Sequence, residues 1–433
     1  SYLVEAHAEA CRAWSDAAAS SSDSEVAPVA QECTPPHAAP LRQTMHGSRH
    51  RSPDAAPEQQ EPIAIIGISG RYPQAATLDA LWDKLRSGQD CITEIPPERW
   101  SLDGFFEADA KLAAASGKSY SKWGGFLDGV AEFDPLFFNI SPREALAMDP
   151  QERLFLQCAW QVLEDAGYTR DGLRQSDRHK VGVFAGITKT GFDLYGPELR
   201  RQGRFEFPHT SFSSVANRVS YCLNLSGPSM PVDTMCSSSL TAIHEACQHI
   251  RHGDCDMAIA GGVNLYLHPS SYVGLCSVYM LSRDGQCKSF GADGNGFVPG
   301  EGVGAVLLKR LSEAERDGDV IHAVIRGSAF NHGGKTHGYT VPNPKAQAEL
   351  IRFCLRRAGV DARAVSYIEA HGTGTALGDP IEIDGLTQAF RDSTHDVGFC
   401  RLGSIKSNLG HLEAAAGMAG LSKIVLQMRH GQI

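Results

Sequence analysis

One cysteine of the chain lies where a predicted strand changes into a predicted helix. The extended stretch Gly227–Val232 leads into it, and apolar residues then recur at spacings of three and four, which is typical of one buried face of a helix. Gly253 follows the last of these residues, where a helix C-cap is expected. Cys236 is therefore expected at the helix N-terminus, where free N–H groups favour the thiolate and the three following serines offer caps. This pattern predicts a nucleophile, with an inert buried thiol as the alternative.

Two histidines further along the chain also follow predicted strands and lie in turns of small residues. His371 comes after a strand over Val365–Ala370, and His411 comes shortly after a strand that ends at Ile405. Ligands of open α/β sheets bind at the carboxyl ends of strands, so we expect these two turns to meet near Cys236. A single histidine is more often structural or solvated. Its position at a glycine-lined strand end is what favours a functional role.

The elements that position these residues alternate between buried strands and helices. Continuous apolar runs predict strands that are buried on both faces. These runs are Pro62–Ile68, Val181–Gly186, Met257–Val263 and Gly302–Leu308. A second set opens at His322–Gly327 and contains both histidine turns, and helices are predicted between the strands, for example from Asp149 with Pro150 at the first helical position. The alternation predicts an α/β fold.

Composition excludes several classes of protein. The chain has 433 residues with 42% hydrophobic and 21% charged residues, as in globular enzymes. Its net charge of −10 argues against a nucleic-acid surface. Its twelve cysteines lack the short paired spacings of zinc sites. We find no membrane-spanning stretch and no signal-peptide pattern, and with scattered thiols this predicts a reduced, cytoplasmic protein.

The two ends of the chain have their own patterns. Residues 1–58 are rich in Ala, Ser and Pro and are predicted to be a flexible linker that limited proteolysis would trim. The stretch Tyr2–Cys11 within it could form one short helix. Residues 59–433 are predicted to form the folded domain. Because the chain starts with a linker and stops after a helix, at Gly431–Ile433, we expect it to be part of a longer polypeptide whose fold continues.

Three segments together resemble the signature segments of β-ketoacyl synthases, and more narrowly the ketosynthase domains of modular polyketide synthases. They are Val232–Leu240, His371–Thr375 and Lys406–His411. The resemblance extends over Glu61–Ile433, and Tyr2–Ala10 is similar to the last helix of an acyl carrier domain. Two further segments resemble the subgroup that uses a separate, trans-acting acyltransferase. These are Asn331–Lys335 and Gly338–Pro342.

The resemblance implies a role for each residue. Cys236 would accept the acyl chain, and His371 and His411 would stabilise the enolate formed when a malonyl group loses carbon dioxide, as oxyanion-hole donors do. Lys406 would pair with Glu382 and bias both imidazoles towards the neutral form. Further supporting positions in the same motifs are implied, namely Asp379, Thr373, Thr375 and Asn408.

The resemblance also implies a fold and partners. The fold would be thiolase-like, two similar α/β halves in αβαβα layers, with the C-terminal part of the second half and its Gly-Phe-Gly-Gly segment missing from these residues. The domain would act as a homodimer. It would bind no cofactor or metal of its own, and its substrates would arrive on the phosphopantetheine arms of acyl carrier domains, one upstream donor and one malonyl carrier of the same module. No nucleic acid or membrane partner is implied.

Three alternatives stay open from the sequence. The domain could pass the acyl chain on without elongating it, and because both histidines are present only an assay separates this from condensation. A Cys/His metal module would need closely spaced ligand pairs, which the neighbours Cys222 and Cys247 do not provide. A thioester hydrolase could also use Cys and His, but two histidine turns rather than a His/Asp pair favour enolate stabilisation.

Overall fold

The computed structural model describes residues 61–169, 180–189 and 191–433. The predicted linker and the carrier-like helix therefore lie outside the described residues. The strands are β1 Ile63–Arg71, β2 Thr93–Glu94, β3 Trp123–Gly124, β4 Val181–Gly186, β5 Ser229–Val232, β6 Met257–Asn264, β7 Gly302–Arg310, β8 Ala323–Ile325, β9 Tyr367–Glu369 and β10 Arg401–Gly403. The helices are α1 Leu78–Arg86, α2 Ala110–Ser116, α3 Pro142–Ala147, α4 Pro150–Asp165, α5 Tyr195–Arg201, α6 Phe212–Leu223, α7 Ser238–His252, α8 Ser270–Ser277, α9 Leu311–Asp317, α10 Pro344–Ala358, α11 Gly378–Arg391, α12 Lys406–Leu409 and α13 Ala416–His430. Within the described ranges, no helix is both long and apolar enough to cross a membrane.

The largest sheet has six strands in the order β5-β4-β6-β7-β1-β8. Strand β4 is parallel to β5 and β6, whereas the other neighbours pair antiparallel. The four apolar runs predicted as buried strands form β1, β4, β6 and β7, and their residues are almost all buried. The α/β prediction is confirmed, because helices separate the parallel strands and cover the sheet.

Each face of the large sheet has its own apolar core. On one face α4 and α6 pack on the sheet through residues such as Val162 and Val219. On the other face α7 and α13 pack through residues such as Ile250 and Val425. Two predicted helix ends are confirmed, since the Asp149 carboxylate accepts the Gln151 N–H at 2.8 Å and Gly253 adopts φ +81° after α7. This packing fixes the start of α7, which directly follows the turn that contains Cys236.

The second sheet contains β9 and β10 in parallel, and His371 and His411 follow these strands. Strand β8 differs from the prediction, which placed it at the start of the second set. It pairs antiparallel with β1 at the edge of the large sheet, with Ile325 opposite Ile63. An apolar run predicts a buried strand but does not specify its sheet, because the pairing depends on tertiary contacts.

A shared helix joins the two sheets. Helix α13 contacts β7 of the large sheet and β9 of the small one. The Met418 N–H donates to Ser239 Oγ at 3.1 Å, which links α13 to the first turn of α7. This helix layer between two sheets is the middle layer of the predicted αβαβα arrangement, and it places the carboxyl ends of β5, β9 and β10 around one space.

Candidate active site

Cys236 lies in a 3-10 turn, Met235–Ser237, between β5 and α7. Met235 adopts φ +55°, a conformation that a residue with a side chain holds only when its surroundings enforce it. Ser238 Oγ accepts the Thr234 N–H at 3.0 Å and donates to the Met235 carbonyl at 2.6 Å. The prediction that the serines cap α7 is therefore wrong: among the described residues no serine side chain bonds the first N–H groups of α7, and Ser238 instead holds the turn that contains Cys236.

The thiol of Cys236 contacts the ring of His411. His411 Nε2 is 3.1 Å from Cys236 Sγ, and the Glu413 backbone N–H donates to His411 Nδ1 at 3.0 Å. Since Nδ1 accepts a hydrogen bond, this geometry assigns the ring proton of neutral His411 to Nε2. His411 therefore donates to the sulfur and cannot take up the thiol proton at that nitrogen.

His371 completes the cluster from the end of β9. Its ring centroid is 5.2 Å from that of His411 in an edge-to-face arrangement. The ligand-type atoms of Cys236, His371 and His411 all lie within 4.8 Å of one another. Unlike the buried His411, the His371 side chain lines the cavity described below. The structure thus brings together the three residues that the sequence singled out.

Burial controls the charge of the thiol. Burial and, to a smaller extent, the Glu413 carboxylate raise the pKa of Cys236 to about 11, although Lys406 and Lys189 oppose the shift. The expectation that the helix N-terminus makes the thiolate the favoured form is therefore wrong, because the desolvation of a thiolate outweighs the attraction of the helix end.

The pH dependence of Cys236 alkylation tests this assignment. Only the thiolate reacts, so below the pKa its fraction grows about tenfold for each pH unit. The rate with iodoacetamide is expected to rise about a hundredfold between pH 7 and pH 9, followed by mass spectrometry of the Cys236 peptide. A rate that levels off below pH 8 would contradict a raised pKa.

Both histidines are held neutral. Burial and the charge of Lys406 lower the pKa of His371, and burial followed by Lys406 and His371 lowers the pKa of His411 well below its ordinary value. Lys406 is itself buried, which lowers its pKa. The repulsion expected from Lys406 is thus present, although burial is the larger cause. Neutral imidazoles next to a thiol can donate hydrogen bonds to an oxygen that gains negative charge.

Sequence profiles of known families match most of the chain. The β-ketoacyl synthase N-terminal domain matches residues 60–314, and the β-ketoacyl synthase C-terminal domain matches residues 322–433. The chain belongs to the β-ketoacyl synthase family. The predicted family is therefore confirmed.

Relatives of this ketosynthase include polyketide synthases and solved ketosynthase domains. It is 56% identical over 380 residues to polyketide synthase PksL of Bacillus subtilis, covering 87% of this chain and 8% of PksL. It is 56% identical over 385 residues to polyketide synthase ThaG of Burkholderia thailandensis, covering 88% of this chain and 7% of ThaG. The ketosynthase thus spans less than a tenth of either relative.

Solved structures confirm the fold. The oxazolomycin ketosynthase domain OzmH KS7 of Streptomyces albus JA3453 matches with TM-score 0.82 and 51% identity, over 86% of this chain and 63% of that one. The ketosynthase from module 6 of the bacillaene synthase of Bacillus subtilis matches with TM-score 0.77 and 46% identity, over 86% and 61%. The thiolase-like fold and the polyketide synthase ketosynthase predicted from the sequence are confirmed.

Glu382 of the ketosynthase does not form the expected ion pair with Lys406 in the described part of the chain. Its carboxylate accepts the backbone N–H groups of His371 at 2.6 Å and Gly372 at 2.8 Å. Its negative charge still raises the pKa of Lys406 against the effect of burial. Glu382 therefore positions the His371 turn directly and acts on Lys406 only through space.

The other supporting residues also hold turns. Asp379 accepts the backbone N–H groups of Phe290 at 2.7 Å and of Gly374 at 3.2 Å. The hydroxyls of Thr373 and Thr375 are 3.1 Å apart within the same turn. These contacts fix the loop after His371, and they show no hydrogen bond to Cys236.

Asn408 lies on the side of α12 that faces the segment after α1. Its side-chain amide donates to the Gln89 carbonyl at 3.0 Å, and its backbone carbonyl accepts the Cys91 N–H at 2.8 Å. It does not line the cavity of Cys236. The structure therefore gives Asn408 an anchoring contact away from the cysteine.

The described residues contain one group of Cys and His side chains close enough to hold a metal ion, and it is the cluster of Cys236, His371 and His411. Buried Lys406 acts on both imidazoles as a positive charge, and a cation bound there would be repelled by it. Both ring nitrogens of His411 already have hydrogen-bond partners. The arrangement therefore favours chemistry by the side chains themselves.

A cavity of about 510 Å³ opens onto Cys236. Its polar lining residues are Cys236, His371, Lys406, Glu369, Thr234 and Ser237. The remainder of its wall is apolar and includes Leu240, Ile405, Ala416, Gly417, Leu421 and Ile424. Such a wall suits an acyl chain bound next to the thiol.

Sequence reasoning missed three residues next to His411. Glu413 is 5% exposed, Tyr266 is fully buried, and Lys189 forms an ion pair of 3.0 Å with Glu413. One signal was present, since Glu413 is a lone charged residue in the apolar run that follows His411. Lys189 follows β4 and is far from His411 in the sequence, so no sequence pattern indicated that the two residues lie close together in the fold.

Proposed function

We propose that this ketosynthase elongates an acyl chain by decarboxylative Claisen condensation with a malonyl group on a carrier protein. One observation carries the proposal: neutral His411 donates from Nε2 to the Cys236 sulfur while neutral His371 lies beside it. A general base that activates water would need an unprotonated nitrogen at this position. The same geometry therefore argues against a thioester hydrolase.

The first step is acyl transfer to the cysteine. The Cys236 sulfur attacks the carbonyl of an acyl thioester on a phosphopantetheine arm, and a new carbon–sulfur bond forms. The bond between the acyl carbon and the pantetheine sulfur breaks. The pantetheine sulfur takes up the proton that Cys236 loses and leaves as the thiol. The N–H at Nε2 of His411, 3.1 Å from the sulfur, stabilises negative charge on Cys236 as the thiolate forms.

The second step makes the nucleophile. The malonyl thioester breaks its carbon–carbon bond to the carboxylate and releases carbon dioxide, and the electron pair moves to the thioester oxygen as an enolate. His371 and His411 donate hydrogen bonds to this oxygen, each with a typical effect of about 3 kcal/mol. The enolate carbon then attacks the acyl carbon on Cys236, the carbon–sulfur bond breaks, and the released thiolate takes a proton from solvent to restore the thiol.

Incubation of the loaded enzyme with a malonyl carrier tests the proposal. The expected product is a carrier whose acyl group has gained two carbons and a β-keto group, identified by intact-carrier mass. The control omits the malonyl group from the carrier. Transfer of the unchanged acyl group to the carrier would instead indicate the non-elongating alternative, and release of free acid would indicate a hydrolase.

Acyl carrier domains are the proposed partners, one delivering the acyl chain and one the malonyl group, and the phosphopantetheine is the carrier's and not bound by this chain. The relatives named polyketide synthases support this proposal. The segments Asn331–Lys335 and Gly338–Pro342 support membership of the subgroup with a separate acyltransferase. A malonyl carrier loaded by a separate acyltransferase is therefore the proposed second substrate.

A homodimer is proposed through the β5 edge of the large sheet. Strand β5 is the edge strand at one end of that sheet. The hydroxyl of Ser220 in α6 donates to the hydroxyl of Ser229 in β5 at 2.9 Å. The neighbouring Tyr221 is 80% exposed, which is high for an aromatic side chain. A strand edge and an exposed aromatic residue side by side support an interface here.

Light scattering tests the dimer. The expected mass is twice that of the chain, and Tyr221→Asp is expected to shift the equilibrium towards the monomer because it places a charge in the interface. Val320→Asp, a substitution of a residue that is 66% exposed near the opposite edge of the sheet, is the matched control. A monomer at micromolar concentration, or equal effects of the two variants, would contradict this interface.

A further inference from the structure

Three side chains form a buried polar network against His411. The Tyr266 hydroxyl donates to Glu413 Oε1, and Lys189 Nζ is 3.0 Å from Glu413 Oε2. Lys189 Nζ also lies 5.2 Å from the centroid of the Tyr266 ring. Both carboxylate oxygens of Glu413 therefore have a partner, as a charge that is 5% exposed requires.

This network is connected to His411 through the backbone of Glu413. The Glu413 N–H donates to His411 Nδ1 at 3.0 Å, and this bond places the ring proton on Nε2. Glu413 adopts φ +42°, which a residue with a side chain adopts only under constraint from its surroundings. Its carboxylate is clamped by Lys189 and Tyr266, so these two side chains supply that constraint.

Charges of the network also change the electrostatic potential at the Cys236 thiol. The ionisable side chains that surround Cys236 or interact with its charge are His371, His411, Lys406, Glu413, Lys189 and Tyr266. Glu413 is the one whose charge opposes the thiolate, and Lys189 and Lys406 are the cations that favour it. Lys189 is in contact with Glu413 and can therefore neutralise this carboxylate directly. In the described ranges Lys406 forms no ion pair with Glu413.

We propose that Lys189 is a positioning residue of the ketosynthase: it clamps Glu413 so that the Glu413 N–H stays on His411 Nδ1, and it shields Cys236 from the Glu413 carboxylate. This inference rests on the proposed function for its effect on condensation. Its effect on the thiol does not depend on condensation, because alkylation needs no acyl substrate.

Lys189→Met is the primary test. Loss of the cation leaves the Glu413 charge uncompensated, so the pH profile of Cys236 alkylation is expected to move up by about one pH unit. The rate constant kcat of condensation is expected to fall about tenfold with little change in the KM for the malonyl carrier, because the donor geometry and not carrier binding is affected. Lys111→Met, which removes an exposed lysine of α2, is the matched control and is expected to leave both unchanged.

Two further variants separate positioning from simple structural support. Lys189→Arg keeps the charge and is expected to retain the wild-type alkylation profile. The double variant Lys189→Met with Glu413→Gln removes both charges, and its profile is expected to return towards that of the wild type. A merely structural lysine would not give this rescue.

The outcomes are separable. An unchanged alkylation profile in Lys189→Met, or a shift that Glu413→Gln does not reverse, overturns the inference even if the enzyme condenses. A shifted and rescued profile in an enzyme that does not condense supports the inference about the thiol and overturns the proposed function. If Lys189→Met does not fold, the double variant decides: a fold restored by Glu413→Gln assigns the defect to the uncompensated Glu413 charge, and a double variant that also fails to fold overturns the inference.

Discussion

Cys236→Ala is expected to reduce acyl loading from an acyl-pantetheine thioester to background, a loss of roughly 10⁴-fold or more. The thiol is the proposed nucleophile and lines the cavity, and the neighbouring His371, His411 and Lys406 side chains have no sulfur with which to form a thioester. Intact-protein mass after incubation with a panel of acyl-pantetheine thioesters measures the loading.

Cys400→Ala is the matched control for this prediction. Cys400 is a partly exposed cysteine just before β10 and outside the cavity of Cys236. Its variant is expected to load at the wild-type rate. One acyl group still bound to Cys236→Ala would show that the nucleophile has been assigned wrongly.

His411→Ala is expected to lower the rate of condensation by about a hundredfold, which corresponds to roughly 3 kcal/mol of transition-state stabilisation. His411 is 1% exposed and donates from Nε2 at 3.1 Å to the atom that holds the chain, so no water is expected to replace it without rearrangement. Loading of Cys236 is expected to persist at a reduced level, because the thiol itself is intact. The measurement is single-turnover condensation with pre-loaded enzyme.

Two variants control for loss of packing at His411. His411→Gln keeps a side chain with an N–H donor and is expected to lose less activity than His411→Ala. His249→Ala removes a histidine that pairs with Asp254 on the surface of α7, and it is expected to have no effect. Condensation at the wild-type rate in His411→Ala would remove His411 from the mechanism.

The framework of the site could be predicted because its signals are local. Each buried strand is a continuous apolar run, and each turn after it contains glycine or serine, so Cys236, His371 and His411 were predicted at strand ends that meet. Two helix ends could also be predicted, because each depends on one residue. These residues are Asp149 at the start of α4 and Gly253 at the end of α7.

What could not be predicted depends on contacts between distant segments. The charge of Cys236 follows from burial and from Glu413 rather than from its helix end, and burial is a property of the folded chain. The same holds for β8, whose partner strand is fixed by tertiary packing. The Glu382 carboxylate accepts hydrogen bonds from the backbone N–H groups of His371 and Gly372 instead of pairing with Lys406. A sequence motif gives the residue types but does not specify which groups they contact.

Carbon dioxide release from the malonyl carrier is the most direct test of the central claim, which is that two neutral imidazoles stabilise one enolate oxygen. We predict that His371→Ala and His411→Ala each lower the rate of release by about a hundredfold, and that the double variant loses little more, because residues that act as a unit are not additive. We also predict that Cys236→Ala retains part of the release, since decarboxylation does not need the thiolate. Release at the wild-type rate in both single histidine variants, or a double variant with the product of the two losses, would contradict this account.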